Sequence, residues 1–271
     1  MLQILWLLPL GFAVGAFGTL IGAGGGFLLM PVLLLLYPAE PPQHLAAICL
    51  AVVFLNALSG SLAYARARRI DTRSALLFAA CTVPGAVLGA LATSRVPRAV
   101  FNLLFGVLLV GAAVFLLLRR ELRTAHARRE GHGWVARRLT DREGTTHEYS
   151  FRPLPGMLLS LGVGFVSSFL GIGGGIIHMP VLVSLLAFPV HVATATSHLV
   201  LAVTSLVGSA TNAVAGALAG SWARVAALGL GVMAGAQLGA FLSTRVRGAW
   251  ILRALAVALG FAGVRIFLAG L

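Results

Sequence analysis

Eight apolar runs dominate this chain, and most are close to the ~20 residues that an α-helix needs to cross a bilayer. They cover residues 2–36, 45–64, 75–92 and 100–118, then, past a polar stretch, 157–188, 192–218, 225–242 and 251–268. The composition agrees: 59% of the 271 residues are hydrophobic and 10% are charged, with 33 glycines besides. A soluble globule of this length has too little interior to hide so much apolar surface. That excludes a water-soluble enzyme, a nucleic-acid-binding domain and a disordered chain. An all-α polytopic membrane protein is what remains. The first run lacks a basic flank and continues too far for a cleaved signal peptide, so it reads as a retained membrane segment.

The net charge of +13 does not restore nucleic acid as a partner, because of where the charge sits. All 20 basic residues are arginine, and nine of them lie between Arg119 and Arg152 beside five acids. The others stand in short connections, such as Arg66, Arg68, Arg69 and Arg73. Arginine at the ends of apolar runs is the positive-inside pattern of a membrane protein. None of the seven acids falls in the middle of an apolar run, and none follows Glu148. A carboxylate proton relay or a carboxylate-rich sodium site at the membrane centre is disfavoured, and the charge bias suits an anion better than a cation. Cys49 and Cys81 lie in apolar runs and read as small buried residues, not as a disulfide framework.

The chain is a duplication. Residues 22–33, GAGGGFLLMPVL, align with 171–182, GIGGGIIHMPVL, identical at eight of twelve positions. Residues 84–96 align with 234–246, and Gly60-Ser61 with Gly208-Ser209. The chain divides into a repeat over 1–118, a connecting loop over 119–153 and a second repeat over 154–271. In the loop, alternating residues on either side of Asp141-Arg142-Glu143-Gly144 predict a β-hairpin between Trp134 and Phe151. The connection Arg66–Arg73 carries four arginines and its counterpart only Arg224. Equivalent loops on opposite sides of the membrane explain that difference and favour inverted repeats, a common plan in secondary transporters. The two halves together then hold 8 membrane segments if each glycine-broken run crosses once and 10 if it turns back. The loop falls on the cytoplasmic side either way.

Three consecutive glycines inside an apolar run make a poor helix, since each costs about 1 kcal/mol relative to alanine. The spacing predicts breaks at Gly22–Gly26 and Gly171–Gly175. Non-helical backbone at membrane depth must be buried in protein or line a cavity. The segments beyond the breaks begin near Phe27 and Ile176, and their first N–H groups are unpaired and directed at the break. Two such N-termini facing one cavity build an anion site from backbone alone. Close packing is the other use of such glycines; it fits Gly85/Gly89 and Gly235/Gly239 better.

The doubled Gly-x-Gly-Gly-Gly-x4-Pro-x-Leu pattern, in a duplicated chain of this length, resembles the sulfite exporter TauE/SafE family of membrane transporters. The resemblance spans both halves. It implies transport, usually export, of sulfite, organosulfonates or related sulfur-containing anions across the bacterial inner membrane. It carries onto Gly22, Gly24, Gly25, Gly26, Gly171, Gly173, Gly174 and Gly175, with Pro31 and Pro180. The family's Ala-Thr-Ser stretch stands here at Ala195-Thr196-Ser197, whereas the first half has Ile48-Cys49-Leu50. Hydroxyl donors then come from one half only.

Further candidates are polar residues within apolar runs. Thr196, Ser197 and His198 cluster early in the sixth run, although hydroxyls in membrane helices also bond their own backbone carbonyls. His178 follows the second break where the first half has Leu29, and could face the anion or carry a coupled proton. Asn56, Asn212 and Gln237 are interhelical glue or ligands; Gln237 is the best ligand of these because its counterpart is Val87. The expected substrate-binding set is therefore Gly22, Gly24, Gly25, Gly26, Phe27, Gly171, Gly173, Gly174, Gly175, Ile176, His178, Thr196, Ser197, His198 and Gln237. No acid in the membrane orients a histidine for catalysis, and the histidines and cysteines lack metal-site spacing. No enzyme activity, metal or cofactor is implied. The reading is a secondary transporter working by alternating access; an anion channel lined by the same backbone is the alternative. Its partners are a small anion and the lipid bilayer, with no nucleic acid, and small-residue faces permit a homodimer.

Overall fold

The computed structural model describes residues 5–118, 133–243 and 249–270. Within them lie ten helices and one two-stranded sheet. The first half contains α1 (Leu7–Ile21), α2 (Gly26–Leu36), α3 (Pro42–Arg66), α4 (Thr72–Thr93) and α5 (Arg98–Leu118). Strands β1 (Val135–Thr140) and β2 (Thr146–Phe151) follow. The second half contains α6 (Pro153–Phe169), α7 (Gly175–Ser184), α8 (Val190–Val214), α9 (Trp222–Leu242) and α10 (Ala249–Leu268). Four helices, α3, α4, α8 and α9, are long and apolar enough to cross a membrane by themselves. The protein is an all-α polytopic membrane protein.

Local chemistry sets the element ends. Pro42 opens α3 and Pro153 opens α6, at first-turn positions where the missing N–H does no harm. Asp71 caps α4 by accepting from the Ser74 N–H at 3.1 Å. Each glycine-broken run divides into two helices. Gly22 ends α1 at φ 80°, a left-handed conformation that costs an ordinary residue about 1–2 kcal/mol. Gly25 starts α2 at φ 74°, and Gly174 starts α7 at φ 85°. The chain reverses at the break. Gly25 lies beside Val14, eleven residues earlier, and Gly174 beside Ser167 and Val163. A helix continuing straight through would carry these residues apart at 1.5 Å per residue.

Glycine seams hold the bundle together and show its directions. A Cβ on Gly11 or Gly15 of α1 would strike the carbonyls of Leu228 and Val232 on α9, so those two helices run parallel. Gly235 and Gly239 meet the carbonyls of Phe12 and Ala16 on the same seam. Gly85 and Gly89 of α4 meet those of Leu161 and Phe165 on α6, also in parallel. Each half thus lends its first helix to the fourth helix of the other. Helices α5 and α10 run antiparallel: Gly106 meets Gly263 and Phe267, and Gly270 meets Ala99. So do α3 and α8, where Gly60 faces His198 and Gly208 faces Leu50.

The hairpin pairs Val135 with Phe151 through Thr140 with Thr146. Its turn is held by Asp141, whose Oδ1 accepts from the N–H groups of Glu143 (3.0 Å) and Thr145 (2.9 Å). Tyr149 and Phe151 pack on Phe188, at the corner between α7 and α8, with ring centroids 4.5 and 4.9 Å away. The Tyr149 hydroxyl donates to Asp71 Oδ2 at 2.8 Å.

Candidate functional site

The two breaks touch. Gly175 packs on the backbone of Ala23, and Gly26 on the carbonyl of Ile172. Only hydrogen atoms at these Cα positions permit the approach. The first intrahelical bonds of α7 are donated by Ile177 and His178 to the Gly174 carbonyl, at 3.1 and 2.9 Å. Those of α2 are donated by Leu28 and Leu29 to Gly25, at 3.0 and 2.9 Å. The N–H groups of Gly175 and Ile176, and of Gly26 and Phe27, precede them and stand at the positive ends of their helices.

A narrow cavity lies at the second break. Gly173, Gly174, Gly175 and His178 line one side, and Ser197, Val200, Leu201 and Thr204 of α8 another, with Thr82 and Val163 closing it. The space is constricted and seats no water-sized body. Polar atoms here lack partners: the buried Ser167 Oγ, which lies against Gly174, and His178 Nδ1 make no hydrogen bond. The Thr82 and Thr204 hydroxyls lie 2.7 Å apart.

The corresponding position in the first half is filled. Asn56, the counterpart of Thr204, donates to the Gly24 carbonyl at 3.0 Å. The matching helices Pro42–Arg66 and Val190–Val214 shift the alignment of this stretch by one residue, so that Cys49 corresponds to Ser197 and not to Thr196; it lies 3.6 Å from the Gly26 carbonyl. Leu29 replaces His178 and Val232 replaces Thr82. A pseudo-symmetric frame therefore carries an asymmetric set of side chains.

Of the residues expected from sequence, the structure brings Gly173, Gly174, Gly175, His178 and Ser197 around this cavity. Ser197 also donates to the Gly22 carbonyl at 3.1 Å, tying α8 to the first break. Gly171 packs on Ala46 of α3 and Gly24 on Leu201 of α8. His198 faces the other way, its Nε2 3.3 Å from Thr19 Oγ1, in a cluster with Asn56 and Tyr64. Thr196 accepts from the Asp71 N–H at 3.1 Å, outside the cavity. Gln237 donates to the Ser59 carbonyl and hydroxyl at 2.9 and 2.8 Å, joining α9 to α3. Phe27 is fully buried in the main apolar core, and Ile176 packs against that core. Thr82, Ser160, Val163, Leu201 and Thr204 are additions from the structure. Their only sequence signal is a hydroxyl or branched residue in an apolar run, which packing explains equally well. Among the described residues no cluster of metal-binding side chains occurs.

Known proteins resemble the chain along nearly its whole length. It is 28% identical over 271 residues to the Bacillus subtilis (strain 168) "Probable membrane transporter protein YunE", covering 98% of this chain and 97% of the relative. It is 27% identical over 215 residues to the Methanocaldococcus jannaschii "Probable membrane transporter protein MJ0441", covering 76% and 72%. A "Probable membrane transporter protein" of Xylella fastidiosa (strain Temecula1) is 29% identical over 236 residues, 87% of this chain and 82% of the relative. No solved structure matches. Residues 7–266 match the family described as Sulfite exporter TauE/SafE. The chain belongs to the sulfite exporter TauE/SafE family, and is a multi-pass membrane transporter of that type.

Proposed function

We propose that this protein exports a small sulfur-containing oxyanion, sulfite or an organosulfonate, by alternating access around the paired glycine breaks. The observation that carries the reading is the meeting of two helix N-termini, α2 and α7, at mutually touching breaks. Their free N–H groups and aligned dipoles stabilise negative charge without a buried cation. The unpartnered hydroxyl of Ser167, beside Gly174, supplies a further donor. The constricted cavity supports a carrier over an open pore, because the walls must part before an oxyanion enters.

Helix directions support two halves inverted across the bacterial inner membrane. Helix α3 is antiparallel to its counterpart α8, and α5 to α10. The hairpin end of the bundle carries Arg66, Arg68, Arg69, Arg73, Arg137, Arg138, Arg142 and Arg152. The other end carries Arg95, Arg98, Arg224 and Arg265 among the described residues. That imbalance favours a cytoplasmic hairpin. At the far end Arg224 pairs with Glu40 at 2.7 Å, and the His44 Nε2 lies 2.7 Å from the Ser221 hydroxyl, tying the α2–α3 corner to the start of α9. At the hairpin end Asp71, Tyr149 and Arg137 tie the α7–α8 corner to the start of α4. These two latches are the parts expected to open in turn.

The test is counterflow. Proteoliposomes loaded with unlabelled sulfite are followed for entry of labelled sulfite. Transient accumulation above equilibrium, lost in Gly174→Leu, supports a sulfite carrier built on the break. No accumulation with sulfite, methanesulfonate or thiosulfate overturns the reading.

A further inference from the structure

We propose that His178 binds the coupled proton, at Nδ1, and that proton and anion occupy the cavity together. The inference rests on the anion-carrier reading above and adds the coupling ion to it.

The hydrogen-bond network fixes the neutral tautomer. Ser160 Oγ lies 2.7 Å from the Gly156 carbonyl, which only accepts, so the single hydroxyl proton of Ser160 is committed there. The same oxygen lies 3.0 Å from His178 Nε2. It must therefore accept from an Nε2–H, which leaves the imidazole lone pair on Nδ1. That atom is buried and has no partner, in a side chain 3% exposed. Phe78 of α4 holds the ring edge-on, with centroids 5.9 Å apart. The ring is thus oriented by α6 and α4 and lines the cavity with one nitrogen unused.

What faces the ring decides how it behaves. Helix α6 presents Ser160 and Val163; α4 presents Phe78 and Thr82; α8 presents Ser197, Val200, Leu201 and Thr204. None of these is charged or titratable. The carboxylate nearest along α4 is Asp71, at the helix start, already engaged by Ser74, Tyr149 and Arg137. An imidazolium here has no counter-charge in the protein, and burying an unpaired charge is costly. An oxyanion in the cavity would meet a repelling lone pair on the neutral ring and an N–H donor on the protonated one. Each ligand therefore makes the other's binding favourable, which is thermodynamic coupling in its reciprocal form. The proton enters from water onto Nδ1 with the anion and leaves with it. Leu29 occupies the equivalent place in the first half, so one proton accompanies each cycle.

Purified wild-type and His178→Gln proteins, matched for monodispersity, are compared in sulfite counterflow from pH 5.5 to 8. The speciation of sulfite is common to both proteins, so the ratio of their KM values isolates the histidine. We expect the wild-type KM to rise relative to the variant's by up to about tenfold per pH unit, the limit for one linked proton. In net uptake into sulfite-free vesicles, lumenal acidification per sulfite should also be greater by one proton in the wild type. A KM ratio constant with pH, with equal proton movement, overturns the proposal while leaving the anion carrier standing. A wild type without counterflow overturns both. Should the variant not transport, sulfite-dependent thermal stabilisation over the same pH range decides. A pH-dependent midpoint in wild type alone supports the proposal; parallel dependence, or binding lost equally at every pH, overturns it.

Discussion

Replacing Gly175 by alanine is a clean probe of whether contact between the breaks matters. Gly175 is the first residue of α7 and has no positive φ, so alanine suits its own backbone. Its Cβ would stand 2.7 Å from the carbonyl carbon and oxygen of Ala23 and 2.8 Å from the Ala23 Cα. All three are backbone atoms, so no side chain can rotate aside. Non-bonded carbons settle at about 3.5–4.0 Å, so the breaks must separate by roughly 0.7 Å or more. Overpacking of this kind typically costs about 1–3 kcal/mol. If the cost falls on the state in which the breaks touch, that state loses about 5- to 150-fold in population against the others. Gly162→Ala on α6 is the control: no atom lies within 4 Å of its added Cβ, and alanine favours the helix. Sulfite counterflow and thermal unfolding of the two variants are measured side by side. Gly175→Ala should lose transport and unfold at lower temperature, while Gly162→Ala keeps both. Equal behaviour of the two would refute the claim that touching breaks form the working centre.

Other perturbations follow from the same geometry. Gly85→Ala and Gly235→Ala each push a Cβ into a neighbouring backbone carbonyl, at Leu161 and Phe12, and should destabilise by about 1–3 kcal/mol, read from thermal melts. Tyr149→Phe removes the hydrogen bond to Asp71; hydrogen exchange in β2 should accelerate about 5- to 30-fold, for a loss of about 1–2 kcal/mol. The Asp141 carboxyl feels burial, which would raise its pKa, but the N–H groups of Thr145 and Glu143, with His147 and Arg69, outweigh this and hold it below the usual carboxylate value. A lowered folded value means its stabilisation is present at neutral pH and is lost as the pH falls through that value. Protection of the hairpin turn, relative to the unfolded exchange rate at the same pH, should therefore be full at pH 6 and be lost as the pH falls below the usual carboxylate value. Asp141→Asn should weaken that dependence.

What could be read from the sequence was what the repeat and the glycines express by themselves. Three adjacent glycines in an apolar run leave the backbone few alternatives to a break, and the left-handed angles at Gly24, Gly25, Gly173 and Gly174 are where the breaks fall. Strand alternation around Asp141–Gly144 coincides with the hairpin. Illegible in sequence was which polar side chains converge. Thr196, Ser197 and His198 are consecutive, yet a helix turns them about 100° apart. One reaches Asp71, one the Gly22 carbonyl and one Thr19. Gln237 differs from its counterpart Val87 because it bridges to Ser59 on a helix seam. Ser160 gives no local sign of its contact with His178, since the two sit on opposite arms of a reversal eighteen residues apart.

The asymmetry of the halves gives the duplicated frame its functional sense. Backbone donors come in two equivalent sets, because they depend on glycines that both halves retain. Side chains do not: Asn56 and Cys49 occupy the first break's own carbonyls, while Thr204 and Ser197 leave room beside His178. The proposed inverted frame would need equivalent moving parts in both halves, but the proposed binding of one anion with one proton needs only one titratable position. Restoring symmetry separates the two demands. Leu29→His would place a second imidazole beside Phe27 and Met30 in an apolar, fully buried setting. It lacks an oxygen equivalent to Ser160 Oγ, since the matching position on α1 is Gly11. A second ring without an oriented tautomer should destabilise the protein by about 1–3 kcal/mol without raising the proton-to-anion ratio. A ratio of two protons per anion in that variant would refute the role assigned to Ser160 in positioning the ring.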